Sequence, residues 1–402
     1  MSKKLSPEKL RPIETMLESQ VKNASLPGYV ALIAQGDDVW AKSGGTMSYE
    51  TAEPLKRDAI FRISSMSKPI TAAAVLMLID DGVMTLNDPI ARWIPELAQP
   101  RVLQTIQSPL SETVPARREI TVRDLMTFTF GTGMLMVEPG AYPILKAMDE
   151  NGLAMGPPAP QQHLPPDEFI QRLGSLPLMY QPGETWLYHR APTVLSILVA
   201  RASGQDFEQF LKARLFEPLG MKDTGFVVPE KDIHRLPWGY MWNFQKNEYE
   251  VFDEPGKSQW TTTPPMSNGA DGLVSTVDDY YRFANMLLHE GTQGGRRILS
   301  KESVQAMTSN QLTPSQRMGF FEGEAAHHGF GFGLQVVIKE GIPGESVGQY
   351  NWDGGLGTTW FVDPKLRLIA LLMTQKSWKS PAPPDHVLTF NCLVHDAALS
   401  AN

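Results

Sequence analysis

Ser65 and Lys68 stand three residues apart in the run Ser64-Ser65-Met66-Ser67-Lys68, and Tyr188 follows much later in Gln181-Pro182-Gly183-Glu184-Thr185-Trp186-Leu187-Tyr188-His189-Arg190. A serine hydroxyl becomes a useful nucleophile when a neighbouring base takes its proton. A lysine one helical turn away lies on the same face and can be that base, provided that burial disfavours the ammonium form. A tyrosine directed at the pair can shuttle the proton onward if a cationic neighbour eases its ionisation.

S-x-x-K is a short pattern, and the chain holds a second copy at Ser19-Gln20-Val21-Lys22, whose polar helical setting reads as structural. Ser65 differs in context. It follows the strand-like run Ala59–Ile63 and opens an apolar helix, whose first backbone amides can face a developing oxyanion. Ser64 and Ser67 are competing hydroxyls, but only Ser65 has the three-residue spacing to Lys68. A third segment, Tyr350-Asn351-Trp352-Asp353-Gly354-Gly355-Leu356-Gly357, precedes a strand; its glycines let a sheet edge approach a ligand and offer a second oxyanion N–H.

Other signatures lead elsewhere. Gly344-Glu345-Ser346-Val347-Gly348 fits G-x-S-x-G, but a nucleophile elbow needs a helix after the serine, and a strand follows instead, so Ser346 reads as a loop serine. His327-His328 belongs to no metal-ligand pattern and reads as a surface pair. Without a dinucleotide fingerprint or phosphate loop, no cofactor and no metal are expected.

The three segments, in this order, resemble the serine hydrolases of the class C β-lactamase-like superfamily, which also contains penicillin-binding peptidases and family VIII carboxylesterases. The resemblance runs from Phe61 through Ile90, Leu125 to Thr129, Gln181 through Leu195, Ala270 to Ser275, and Trp352 through Pro364. It implies Ser65 as nucleophile, Lys68 as its partner, Tyr188 as the proton-transfer group, and the N–H groups of Ser65 and Gly355 as oxyanion hole. Two departures bear on substrate. Where the superfamily usually has Tyr-x-Asn, this chain has Tyr188-His189-Arg190, which removes the amide that contacts a β-lactam side chain; Arg190 is a substitute positive charge and His189 a lining residue. Where β-lactamases have Lys-Thr-Gly, Trp352-Asp353-Gly354 aligns, and this tryptophan form resembles the family VIII esterases. Trp352, Gly354, His189 and Arg190 are therefore the expected substrate-binding set. A carboxylesterase working through a Ser65 acyl-enzyme is the leading expectation, with acyl transfer, or β-lactam and amide hydrolysis, as the alternatives on the same intermediate. A catalytically silent binding protein would need loss of one of the Ser–Lys–Tyr set, and all three are present.

The elements that must position these groups are legible in outline. Leu10, Ile13, Met16, Leu17 and Val21 mark one face of a first helix, Tyr29–Gln35 and Val39–Ala41 a hairpin, and Ile70–Ile79 a buried helix ended by Gly82. Thr121 and Asp124 form a capping pattern. The stretch 131–166, rich in Gly, Pro and Met, is expected to be a long loop or lid shaping an apolar pocket. Helical patterning returns at Pro166–Leu173, Ala191–Ala202 and Phe207–Leu215. Period-two runs at Phe332–Lys339, Thr358–Asp363 and Arg367–Met373 predict three antiparallel strands, before a helical tail from Asp385 to Leu399. Both ends must then meet in one sheet. The expected fold is α/β (α+β), an antiparallel β-sheet formed by the N- and C-terminal segments, flanked by helices, with an inserted mainly helical subdomain. The expectation is a single catalytic domain over 1–402, comprising 1–62 plus 286–402 as sheet subdomain and 63–285 as helical subdomain.

Composition agrees with an ordinary globular chain. Of 402 residues, 42% are hydrophobic and 20% charged, and 36 basic against 44 acidic side chains give a net charge of −8. That balance lacks the basic footprint of a nucleic-acid binder. The single cysteine, Cys392, excludes an intrachain disulfide. The polar start and the absence of a long apolar run predict a soluble cytoplasmic protein with no membrane partner, the charge balance predicts no nucleic-acid partner, and the resemblance implies a small-molecule ester as substrate.

Overall fold

The structure, a computed structural model, describes residues 5–138 and 140–399, the side chain of Glu324 excepted. Its centre is a seven-stranded antiparallel sheet built from both ends of the chain: β1 (Gly28–Gln35), β2 (Asp38–Gly45), β3 (His328–Phe330), β4 (Gln335–Val337), β5 (Tyr350–Asn351), β6 (Thr358–Asp363) and β7 (Leu368–Thr374). The spatial order is β3-β4-β5-β6-β7-β1-β2, so the first strand sits beside the last. Tyr29 pairs with Thr374 and Leu32 with Leu371.

β1 and β7 are buried along their whole length, because both faces of the sheet are covered. Side chains alternate between faces, and two cores claim them in turn. Tyr29, Ala31 and Ile33 pack with Leu10, Ile13 and Leu17 of the first helix (Pro7–Lys22), and with Phe390 and Val394 of the last (Asp385–Leu399). Val30, Leu32 and Leu371 enter the main core with Tyr280 and Phe283 of the helix Val277–Leu288. Each fully buried aliphatic or phenyl side chain contributes about 1.5–3 kcal/mol, so a one-residue slip in register would be prohibitive.

Helix Ser67–Asp80 runs through the main core and is buried from Ser67 to Leu78, as expected of a helix apolar all round. A single 3-10 turn, Ser64–Met66, leads into it from the short strand Phe61–Arg62, which pairs with Val274–Ser275. The capping box of Thr121 and Asp124 starts the helix Val122–Met126 as the sequence predicts.

Several expectations need correction. Within 131–166 a helix spans Pro143–Glu150, because Ile144, Ala147 and Met148 form a buried stripe that the Gly/Pro/Met composition masks. The predicted strand at 332–339 pairs only over Gln335–Val337. The middle of the chain also carries a β-hairpin, Gly239–Asn243 with Glu248–Asp253, and the helices Val277–Leu288 and Lys301–Met307 complete it on its C-terminal side. Among the described residues, no helix is long and apolar enough to cross a membrane.

Candidate active site

Ser65 enters the core from a strained position. Ser64 has φ 47°, a left-handed conformation that is uncommon for a residue with a side chain, and it turns the chain sharply before the helix. The turn is held from several sides. Ser67 Oγ donates to Ser64 O at 2.7 Å and accepts from Leu273 N at 3.2 Å, while Tyr280 Oη donates to Met66 O at 2.9 Å. Ser67, one of the competing hydroxyls, is thereby fully engaged. The guanidinium of Arg62, three residues before Ser65, is buried against the Asp253 carboxylate and Pro237 O, which ties this segment to the 239–253 hairpin.

The three residues singled out by sequence converge. Lys68 Nζ lies 2.8 Å from Ser65 Oγ and donates to Ala270 O at 2.7 Å; its side chain is 1% exposed. Tyr188 Oη lies 2.7 Å from Ser65 Oγ. The lysine nitrogen also sits 4.7 Å from the centre of the tyrosine ring. The bond to Ala270 O fixes one N–H of Lys68 and holds the nitrogen against the serine oxygen.

Tyr188 is placed by an unusual backbone. Arg190 N donates to Tyr188 O at 3.0 Å around His189, whose φ of 76° and ψ of −45° define a γ-turn of the rare positive-φ kind. Met134 N donates to the same carbonyl at 2.8 Å. The tyrosine backbone is thus clamped between the helix Arg190–Ser203 and the 131–138 stretch.

Opposite Ser65, the turn between β5 and β6 brings Gly354 and Gly355 up to the segment Ile63–Ser65. A Cβ on Gly354 would lie 2.4 Å from Ile63 O and 2.2 Å from Thr358 Oγ1, so only glycine permits this approach. Gly354, expected to bind substrate, instead acts as a spacer and does not line the cavity. Gly355 does line it, and among the described residues neither its N–H nor that of Ser65 makes a hydrogen bond.

These groups open into a cavity of 650 Å³ whose walls include Ser65, Tyr188, His189, Trp352 and Gly355. Trp352 packs 5.6 Å from the Tyr188 ring and 5.4 Å from Phe330. The rest is strongly apolar: Met134 and Met136 from the 131–138 stretch, Met241, Trp242 and Phe244 from the hairpin, and Trp378 beyond β7. The hairpin's Trp242 and Phe244 carry no sequence pattern that marks them for a site; only the tertiary contact of the hairpin with the mouth reveals them.

Arg190 departs from expectation. Helix Arg190–Ser203 starts at this residue, which directs its side chain inward. There it is 3% exposed, donates to Leu153 O and stacks 5.5 Å from Phe169. It does not line the cavity, and burial lowers its pKa to about 10. His189 does line the cavity, and burial, with Lys68 and Arg190 nearby, holds its pKa well below the ordinary imidazole value.

Two carboxyls in the wall carry no motif that would mark them, Asp271, which is buried, and Asp353, which is partly buried. Burial raises both; Asp353 reaches about 7 although Thr359 Oγ1 donates to it. The G-x-S-x-G serine, Ser346, lies elsewhere, 2.9 Å from His395 Nε2. The same ring nitrogen faces Asp363 at 3.9 Å, so the order of a Ser-His-Asp relay, which needs both ring nitrogens, is absent. Ser19 in the decoy motif donates to Met16 O within the first helix.

The family model described as Beta-lactamase matches residues 13–388. The chain belongs to this beta-lactamase family. Protein Rv1367c of Mycobacterium tuberculosis is 37% identical over 340 residues, covering 82% of this chain and 81% of its own. Esterase EstB of Burkholderia gladioli is 29% identical over 389 residues, 92% of each chain. Among solved structures, EstCE1, described as a hydrolase with promiscuous acyltransferase activity, superposes with a TM-score of 0.76 at 22% identity, covering 97% of this chain and 98% of its own. The beta-lactamase family and its esterase member support a serine-hydrolase enzyme on this fold.

Proposed function

We propose that the protein is a serine carboxylesterase acting on small to medium carboxylic esters. The observation that carries this reading is the convergence of Lys68 Nζ and Tyr188 Oη on Ser65 Oγ, at 2.8 and 2.7 Å, at the floor of a largely apolar cavity. In this reading Ser65 Oγ attacks the ester carbonyl and its proton passes to Lys68. The N–H groups of Ser65 and Gly355 receive the oxyanion. Tyr188 gives its proton to the departing alkoxide and regains one from Lys68. Water then attacks the acyl-enzyme, its proton returns through the same pair to Ser65 Oγ, and the acid leaves. One ester and one water become one acid and one alcohol.

Ester over β-lactam is supported by the apolar Trp352 where a β-lactamase has a carboxylate-binding lysine, and by a pocket that Arg190 does not enter. A second reading, acyl transfer to an alcohol, is favoured by those same apolar walls, since a dry pocket gives a bound alcohol an advantage over water. A cytoplasmic location belongs to the same proposal, since a chain with a lone cysteine suits a reducing compartment.

The test is a burst-phase assay with short- and medium-chain p-nitrophenyl esters beside the β-lactam nitrocefin, on wild type and Ser65→Ala. Ester turnover that falls by several orders of magnitude in the variant, with little nitrocefin cleavage, supports the esterase. Dominant nitrocefin turnover would overturn it. Product partition with added alcohol separates hydrolysis from transfer.

A further inference from the structure

Asp271 lines the cavity beside Tyr188 and His189, yet its side chain is only 3% exposed and makes no hydrogen bond among the described residues. A buried carboxylate without donors is costly, and native proteins rarely keep one without a use. Its neighbours explain why it lacks them. His163 Nε2 lies 3.8 Å from Oδ1 and His189 Nε2 3.6 Å from Oδ2, both beyond hydrogen-bond range.

His163 cannot close that gap. Asn268 Oδ1 accepts from Thr193 Oγ1 and from Ala270 N, each at 3.0 Å, which fixes the amide and turns its Nδ2 toward His163 Nε2 at 3.2 Å. An amide NH₂ only donates, so Nε2 of His163 carries no hydrogen. The imidazole therefore presents a lone pair to the carboxylate. Burial lowers the pKa of this histidine, which keeps it in that neutral form. On the other side His189 is held neutral as well.

We propose that Asp271 is a specificity residue that accepts a hydrogen bond from a hydroxyl on the acyl part of the substrate, so that hydroxyacyl esters are preferred over their deoxy counterparts. The proposal rests on the esterase reading above. The carboxylate is next in sequence to Ala270, whose carbonyl holds Lys68, and this keeps it a short reach from the reacting serine. A carboxylate turns readily about its terminal torsion, so either oxygen can be offered to the cavity. A neutral donor fits better than an ammonium group: Lys68 acts on Asp271 and Arg190 on both imidazoles, so positive charge is already in place.

The experiment compares kcat/KM for p-nitrophenyl butyrate, 3-hydroxybutyrate (both enantiomers) and 3-aminobutyrate, and for hexanoate against 6-hydroxyhexanoate, on wild type, Asp271→Asn and Asp271→Ala. Wild type should favour at least one hydroxylated ester over its deoxy partner by about tenfold to a hundredfold, the effect of one hydrogen bond to a buried charged group. Asp271→Ala should bring that ratio to about one, and Asp271→Asn, which keeps an acceptor oxygen, should retain part of it. The ratio is the readout, because a merely structural loss lowers both rates together and leaves it intact. A wild-type ratio near one, a ratio unmoved in Asp271→Ala, or a preference for the amino ester overturns the assignment while the esterase reading stands. No cleavage of any ester by wild type overturns both.

Discussion

Asp353 offers a direct test of how burial sets charge in this pocket. Its carboxyl lies in the cavity wall, partly withdrawn from water, and desolvation raises its pKa to about 7 against the donation from Thr359. In the unfolded chain the same group ionises near 3.9. Between those values the folded protein holds one proton more than the unfolded chain, so stability must fall as pH rises from about 4 to about 7. The difference in proton affinity corresponds to about 4 kcal/mol, fully felt only above the folded value. Asp353→Asn keeps the shape and an oxygen for Thr359 but has no charge to desolvate. Urea unfolding followed by tryptophan fluorescence, at intervals from about pH 4 to about pH 8, should show the variant gaining on wild type across this window, by about 4 kcal/mol in total. Its advantage should be smallest at the acidic end. A stability difference that stays constant across the range would refute the reasoning, and one that shrinks as pH rises would mean that the carboxylate is paired rather than stranded.

Three further outcomes follow from the geometry. Tyr188→Phe removes the hydroxyl 2.7 Å from Ser65 Oγ while keeping the ring; ester kcat should fall by about 10²–10⁴ with little change in Tm, and an unchanged kcat would remove Tyr188 from proton transfer. Gly354→Ala places a methyl 2.4 Å from Ile63 O; thermal melting should show a loss of about 1–3 kcal/mol with ester activity falling as well, whereas a neutral variant would mean that the turn can move freely. Arg62→Met leaves the Asp253 carboxylate buried without its guanidinium; denaturant unfolding should register a loss of about 3–5 kcal/mol, and a change below about 1 kcal/mol would contradict a tightly held hairpin.

The sheet ends and the buried helix were legible because their runs are almost continuously apolar, as segments covered on every side must be. Thr358–Asp363, Leu368–Thr374 and Asp385–Leu399 fall where the pattern puts them. The convergence of Ser65, Lys68 and Tyr188 was legible because spacing along one helix and a shared motif order constrain them jointly. Arg190 was misread for a simple reason: a motif position gives no side-chain direction, and the γ-turn at His189 sends the guanidinium behind the wall. Gly354 was misread because a glycine needed for backbone approach and a glycine touching substrate look alike in sequence. Asp271 and Asp353 had no signal at all, since nothing in one sequence tells a buried carboxylate from an exposed one. Trp242 and Phe244 come from a hairpin whose burial alternates too weakly to mark a strand pair.

The neighbourhood of β1 and β7 has a consequence for how the protein is made. Tyr29 is synthesised well before its partner Thr374, which lies 374 − 29 = 345 residues further along the chain. At about 5–20 residues per second, β1 waits roughly 20 to 70 seconds for the strand that pairs with its inner edge. Through that interval an apolar strand is open to wrong partners, and Gly355, on the far side of the serine, does not yet exist. Competence of the site should therefore switch on only once the strand Leu368–Thr374 has emerged and paired. A nascent chain stalled before residue 350 would carry Ser65, Lys68 and Tyr188 and still lack Gly355, the proposed second oxyanion donor, so turnover in a translation extract would time completion of the sheet rather than synthesis of Ser65.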